Sequence, residues 1–245
     1  MIRTFLWFVY FFIHLILVIP GLGIAHLLKR KDRAKADAYI HRRAYLWASS
    51  LVRFAGGKVS VHGNDNLPEG PVLFVAGHQG NFDIPIILST ANRKIGFISK
   101  VEVKKIPLIG SWMKLLDCVF IDRNDRRQSV AAIREGAEKL KAGCSLVIFP
   151  EGTRNRGGQP GQFKKGSLKL AQLSGVPIIP VTTDGSYKMM EANGGRMKPA
   201  HVTITYGEPV TIHQDKKVDA AELAALVQQK VEEHLPLTQE NMNEQ

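Results

Sequence analysis

From Phe5 to Leu28 the chain is apolar almost without a break, a run of 24 residues interrupted only by His14, His26 and the group Pro20-Gly21-Leu22-Gly23. At about 1.5 Å of rise per residue, such a run is long enough to cross a bilayer as one helix. The Pro-Gly break equally permits a helix that bends back within one leaflet. From Tyr39 to Ala55 the pattern turns amphipathic. Ile40, Ala44, Trp47, Ala48, Leu51 and Ala55 recur at helical spacing, while Arg42, Ser49 and Arg53 fall toward another face. Such a helix either packs on a domain core or lies in a membrane interface with its arginines reaching up to the headgroups.

After Gly56-Gly57 short β-rich runs alternate with longer helical ones. Strands are expected at Lys58–His62, Val72–Ala76, Ile95–Ser99, Cys118–Asp122, Leu146–Phe149, Val176–Thr182 and His201–Tyr206. Helices are expected at Ile84–Ala91, Leu108–Leu116, Arg127–Ala142, Lys165–Leu173 and Val218–His234. Several of the strands are apolar without alternation, the mark of strands covered on both faces by helices. The pattern predicts an α/β fold with a largely parallel sheet of about seven strands flanked by helices, whose ligands gather at the carboxyl ends of the strands. Three regions follow: residues 1–57 as a membrane-associating helical region, 58–237 as the α/β domain, and 238–245 as a polar tail.

Charge sharpens the view of the N-terminus. The chain of 245 residues carries a net charge of +11, with an ordinary 44% hydrophobic and 22% charged content. Residues 1–60 hold ten Lys/Arg against Asp32 and Asp37, a balance of +8, which leaves +3 for all the rest. A basic excess beside an apolar segment favours an anionic membrane surface over nucleic acid. Arg3 and the small residues Gly23-Ile24-Ala25 would suit a cleaved signal peptide. However, Lys29-Arg30-Lys31 with Arg33 and Lys35 follow at once, and such charge stays on the cytoplasmic side. Anchoring, with the site facing the cytoplasm, is therefore expected over cleavage. Cys118 and Cys144 sit in apolar strand-like runs and read as buried small hydrophobes, with neither a disulfide framework nor metal-ligand spacing. No bound metal or cofactor is expected.

Candidate chemistry clusters at strand ends. His78-Gln79-Gly80-Asn81-Phe82-Asp83 follows the Val72–Ala76 strand and places a histidine five residues before a carboxylate, as a general base and its orienting partner require. The plainer reading is that Asp83 caps the next helix, where Pro85 is well tolerated. Phe149-Pro150-Glu151-Gly152-Thr153-Arg154 ends another strand and offers Arg154 as a fork of donors for phosphate, with Glu151 to brace it. Phe120-Ile121-Asp122-Arg123 repeats this at a third strand end, after a basic loop with Lys100 and Lys105. Arg156, Lys164 and Lys165 flank the glycine-rich loop Gly157–Gly161, which lacks the glycine and lysine order of a nucleotide-binding P-loop. There is no G-x-S-x-G nucleophile elbow.

Taken in order, the HX4D motif His78–Asp83, Gly110 with Phe120-Ile121-Asp122-Arg123, Phe149–Arg154, and Val176-Pro177-Ile178-Ile179-Pro180 resemble the four blocks of the glycerolipid acyltransferases. Across residues 60 to 210 they most resemble the bacterial-type 1-acylglycerol-3-phosphate acyltransferases. The resemblance implies that His78 takes the proton from the 2-hydroxyl of lysophosphatidate as it attacks an acyl thioester, with Asp83 orienting the imidazole. It implies acyl-CoA or acyl carrier protein as co-substrate and phosphatidate as product. The acceptor is then held by Arg123 and Arg154, with Lys100, Lys105, Glu151, Gly152 and Thr153 beside them. The Val176–Val181 block reads as a wall of the site, or else as an edge strand or bulge. The same blocks serve enzymes with other acceptors, such as glycerol 3-phosphate or larger lysophospholipids. A non-catalytic anionic-lipid-binding protein is the reading from a different class.

Overall fold

A computed structural model of the protein describes residues 1–212 and 219–236. The polar tail 238–245 and the start of the last expected helix, Val218, lie outside the described residues. The N-terminal region is three helices: α1 (Ile2–Leu17), α2 (Ile19–Lys31) and α3 (Arg33–Ala55). The long apolar run breaks between α1 and α2, which are bent by 41°. Pro20 falls in the first turn of α2, where its missing N–H is no loss, whereas in a continuous helix it would remove an internal hydrogen bond. Among the described residues no single helix is long and apolar enough to cross a membrane, and only the bent pair together has the length and composition.

Asp32 starts α3 by accepting the Lys35 amide at 3.0 Å, and Gly56 ends it in the left-handed conformation at φ 87°. One face of this amphipathic stretch packs on the domain core, while Tyr45, Leu46 and Phe54 are exposed on the other. Ile40, Ala44, Ala48, Leu51 and Ala55 are buried in the main core, and Trp7 of α1 donates to the Leu51 carbonyl at 3.0 Å. A half-buried ion cluster fastens this layer to the rest: Lys94 Nζ lies 2.5 Å from both Asp37 of α3 and Asp117, which also pairs with Lys29 of α2 at 3.3 Å.

The remaining chain forms β1 (Gly57–His62), β2 (Leu73–Ala76), β3 (Ile95–Lys100), β4 (Val119–Ile121), β5 (Ser145–Ile148), β6 (Ile178–Asp184) and β7 (Ala200–Tyr206). They make one seven-stranded sheet in the order β1-β7-β6-β2-β5-β3-β4. Every neighbouring pair is parallel except β6 with β7. The helices α4 (Asp83–Thr90), α5 (Ile109–Leu115), α6 (Arg126–Lys141), α7 (Lys169–Ser174) and α8 (Ala220–Glu232) complete the layers. Phe74, Phe97 and Val147 point to the face covered by α1, α3 and α4, while Leu73, Ile98 and Leu146 point to the face covered by α6, α7 and α8. Every position of β2 and β5 is buried, which is why these strands are apolar without alternation.

Two expectations need correction. Lys165–Leu173 is not one helix: a 3-10 turn at Lys165–Leu168 precedes α7, and glycine at position 166 weakens an α-helix there. The block around Pro177 and Pro180 is not an edge strand. β6 lies inside the sheet between β2 and β7, with Pro180 just before the β7 ladder begins at Val181 and Tyr206.

Candidate active site

The carboxyl ends of β2, β4, β5 and β6 converge on one edge of the sheet, and four chain segments meet there. His78 leaves the end of β2 and Asp83 opens α4. The Asp83 side chain is fully buried. Its Oδ2 accepts from His78 Nδ1 at 2.7 Å and from the Gly80 amide at 2.9 Å, and its Oδ1 accepts from the hydroxyl of Ser186, just beyond β6. The carboxylate therefore closes the turn before α4 and holds the histidine as well, and the N-cap position itself falls to Phe82. Because a carboxylate only accepts, Nδ1 carries the proton and Nε2 keeps its lone pair. The imidazole stacks on Phe149 with ring centres 4.1 Å apart and planes at 19°.

The turn after β5 is bound to the same histidine from the backbone side. Glu151 is buried, with Oε1 accepting the His78 amide at 2.7 Å and Oε2 accepting the Gly161 amide at 2.8 Å. Both oxygens are taken by protein groups, which tie the His78 turn to the glycine-rich loop at Gly161. Gly152, at φ 78°, adopts a conformation that favours glycine, and its carbonyl accepts from the Arg123 guanidinium. Arg123 thus reaches from the end of β4 to the Glu151 turn. Partial burial lowers its pKa from the ordinary value, Glu102 opposes that, and the guanidinium stays cationic.

Arg154 points another way. It donates to the Asn81 side-chain oxygen at 2.6 Å and pairs with Glu191 at 3.4 Å. Glu191 also accepts the Asn81 amide at 2.8 Å, and a Cβ on Gly80 would lie 2.5 Å from its other oxygen. Thr153 is exposed on the turn, Lys100 is exposed at the end of β3, and Lys105 is exposed on the segment after it. The structure gathers His78, Asp83, Arg123, Glu151, Gly152 and Arg154 at one edge. It also adds Gln79, Ser186 and Glu191, which local spacing did not single out. Gln79 accepts the Gly185 amide at 2.9 Å and ties the His78 turn to the end of β6. The strand-end rule applied to β6 would have found Ser186.

Two cavities adjoin this edge. One, of about 430 Å³, lies on the α1–α5 face and is walled by Trp7, Phe11, Trp47, Leu88 and Trp112, with Asn81 and Phe82 of the His78 turn among its lining. The other, of about 550 Å³, lies on the α6–α7 face and includes Arg123, Phe149, Gly152 and Lys164. Among the described residues no three His, Cys, Asp or Glu side chains gather to hold a metal ion. Burial pushes the Cys118 thiol up to about 12, as suits a structural cysteine and not a nucleophile.

The family described as Acyltransferase matches residues 58–184, which include the His78, Arg123 and Glu151 turns. A probable 1-acyl-sn-glycerol-3-phosphate acyltransferase of Mycoplasma pneumoniae is 35% identical over 175 residues, 70% of this chain and 65% of that protein. A chloroplast 1-acyl-sn-glycerol-3-phosphate acyltransferase of Arabidopsis thaliana is 35% identical over 173 residues, 69% of this chain and 48% of that one. The chain thus spans about half to two thirds of these relatives' length. The crystal structure of the 1-acyl-sn-glycerophosphate acyltransferase PlsC from Thermotoga maritima superposes with a TM-score of 0.81 at 31% identity, covering 95% of this chain and 94% of that one. With the matched segment, the fold and the strand-end motifs in agreement, the chain belongs to the acyltransferase family.

Proposed function

We propose that this protein transfers an acyl chain from a thioester, acyl-CoA or acyl carrier protein, to the 2-hydroxyl of 1-acylglycerol 3-phosphate, giving phosphatidate. The observation that carries this reading is the 2.7 Å contact between His78 Nδ1 and the fully buried Asp83 carboxylate. Nε2 of His78 removes the hydroxyl proton as the oxygen attacks the thioester carbonyl, and Asp83 stabilises the imidazolium that forms. When the tetrahedral intermediate collapses, the imidazolium returns a proton to the departing thiolate. The base is then restored without an acyl-enzyme. A positioned base contributes about 10²–10⁴-fold, so the rest of the acceleration rests on holding the reactants together.

The apolar cavity beside Phe82 supplies a place for an acyl chain, and Arg123 and Arg154 flank the Glu151 turn where the acceptor phosphate would sit. Residues 1–57 bring this site to lipid. Phe5, Phe12, Leu17 and Leu27 are exposed on α1 and α2, and Lys29, Arg30 and Lys31 close α2 with positive charge suited to anionic headgroups on the cytoplasmic side.

The test is to incubate purified protein with both thioesters across a panel of lysophosphatidate, glycerol 3-phosphate and lysophospholipids with larger headgroups, and to identify the lipid products. Phosphatidate is expected, and His78→Ala should abolish it while liposome binding persists. Folded protein that consumes no thioester with any phosphate-bearing acceptor, yet binds liposomes in a salt-sensitive way, would make it a lipid-binding protein instead.

A further inference from the structure

The reaction just proposed needs room for three things: an acyl chain, an acceptor, and the arm that carries the thioester sulfur away from the base. The apolar cavity answers the first and the arginines of the Glu151 turn the second. We propose that the cavity on the α6–α7 face holds the third, the phosphate-bearing pantetheine arm of the acyl donor. This assignment rests on the acyl-transfer reading above.

Position is the first argument. Phe149 and Pro150 form part of the wall of this cavity, and Phe149 is the ring against which His78 stacks. Consecutive residues of β3 divide the two cavities, Phe97 lining the apolar one and Ile98 the other. Phe97 and Phe149 are themselves stacked, with centres 6.4 Å apart. The two cavities thus lie on opposite faces of the sheet, and each reaches the strand ends near His78, one at Asn81 and Phe82 and the other at Phe149. A thioester whose sulfur sits at the base has two arms leaving in opposite directions, and the fold provides one chemically distinct groove for each.

Composition is the second. The lining combines an apolar floor, with Ile121, Ile133, Ile148 and Leu173, and cations: Arg123, which it shares with the acceptor site, and beyond it Lys164, Arg126, Arg134 and Lys169. No described residue lining it is acidic. A pantetheine arm has the same mixture, methyl and methylene groups with amides between them, and it ends in phosphate. Arg126 and Arg134 stand eight residues apart on α6, roughly 12 Å along the helix axis at about 1.5 Å per residue. One acceptor phosphate held at the Glu151 turn cannot use both. A row of cations leading away from the base suits an extended donor whose charge lies at its far end.

The experiment uses the whole protein and the triple variant Arg126→Gln/Arg134→Gln/Lys169→Gln, whose three side chains are exposed, with circular dichroism as the check on folding. The Michaelis constant is measured for acyl-CoA, for the matching acyl carrier protein thioester, and for lysophosphatidate. Donor KM should rise about tenfold, because exposed charge contacts are individually weak, while kcat and acceptor KM stay within about twofold. Wild-type donor KM should also rise with ionic strength, which tests the assignment without any variant. Adenosine 3′,5′-bisphosphate that competes with acyl-CoA identifies the nucleotide end as the bound phosphate source. Competition by holo but not apo carrier protein identifies the carrier arm. A triple variant with unchanged donor KM, or one in which only acceptor KM rises, overturns the assignment. A folded wild type inert with both thioesters would instead overturn the acyl-transfer reading on which it rests.

Discussion

Asp83→Asn separates the charge of this side chain from its shape. The carboxylate is out of contact with solvent, with Oδ2 on His78 Nδ1 and the Gly80 amide and Oδ1 on Ser186. An asparagine whose amide oxygen takes the Oδ2 position keeps the first two contacts. Its NH₂ then faces Ser186, whose hydroxyl rotates to accept. The turn and the histidine orientation should survive, and the lost element is the negative charge beside the imidazolium formed during proton transfer. With charge centres about 4 Å apart and an effective dielectric of about 20, that charge is worth about 4 kcal/mol. The expected loss in kcat is therefore about 10³-fold, with little change in either KM. The assay follows released thiol with a thiol-reactive chromogen, beside a thermal melt. The buried, raised Cys118 thiol keeps the background low. A variant that melts normally and retains kcat within about tenfold would refute an electrostatic role for Asp83. A melting point lowered by many degrees would refute the claim that the amide fits.

Three further outcomes are expected. Ser186→Ala leaves one oxygen of a fully buried carboxylate without its donor, which should cost about 1–3 kcal/mol and lower the melting temperature by about 2–4 °C per kcal/mol, read by calorimetry. Glu191→Gln weakens the hold on Arg154, whose side chain is 35% exposed, so acceptor KM should rise about three- to tenfold while kcat changes little; steady-state kinetics on lysophosphatidate checks it, and an unchanged KM would detach Glu191 from the acceptor. The ion cluster under α2 and α3 should set the pH limits of the N-terminal docking. Burial works against the Asp117 carboxylate, but Lys94 and Lys29 outweigh it and hold its pKa below 3.8; burial likewise opposes Lys94, and Asp117 and Asp37 still raise it above 10.5. The depressed acid gives stability that is present above pH 3.8 and lost as pH falls through its folded value, and the raised base gives stability that is present below pH 10.5 and lost as pH rises through its own. Tryptophan fluorescence from Trp7, Trp47 and Trp112 should therefore stay flat between these limits, and a transition near neutrality would contradict the cluster's role.

The central strands were legible because their chemistry is local. Val72–Ala76 and Leu146–Phe149 are apolar runs with turn residues on their flanks, and β2 and β5 lie within one residue of those limits. The reversed direction of β1 and β7 was not legible, since which neighbour a strand pairs with is settled by packing; the alternating burial along β7 marks it as half covered. Pro20 marked the N-terminal break correctly, but its angle depends on how α1 and α2 seat on α3. At the site, His78 with Asp83 was readable from a five-residue spacing. Ser186 stands 103 residues from Asp83 and Glu191 stands 110 from Asn81, distances over which no local pattern operates. Arg123 and Arg154 read as equivalent phosphate ligands in the sequence. The fold gives them different protein partners, Gly152 for one and Asn81 with Glu191 for the other.

The hydroxyl that completes the Asp83 carboxylate comes from beyond the sixth strand in chain order, although His78 lies just after the second. A nascent chain therefore carries its histidine and aspartate long before they are locked. Catalytic competence arrives late in synthesis, once β6 has inserted between β2 and the strand still to come. By then α1 and α2, with their exposed Phe5, Phe12, Leu17 and Leu27, have long since left the ribosome, so the surface proposed to meet lipid is in place before the site is complete.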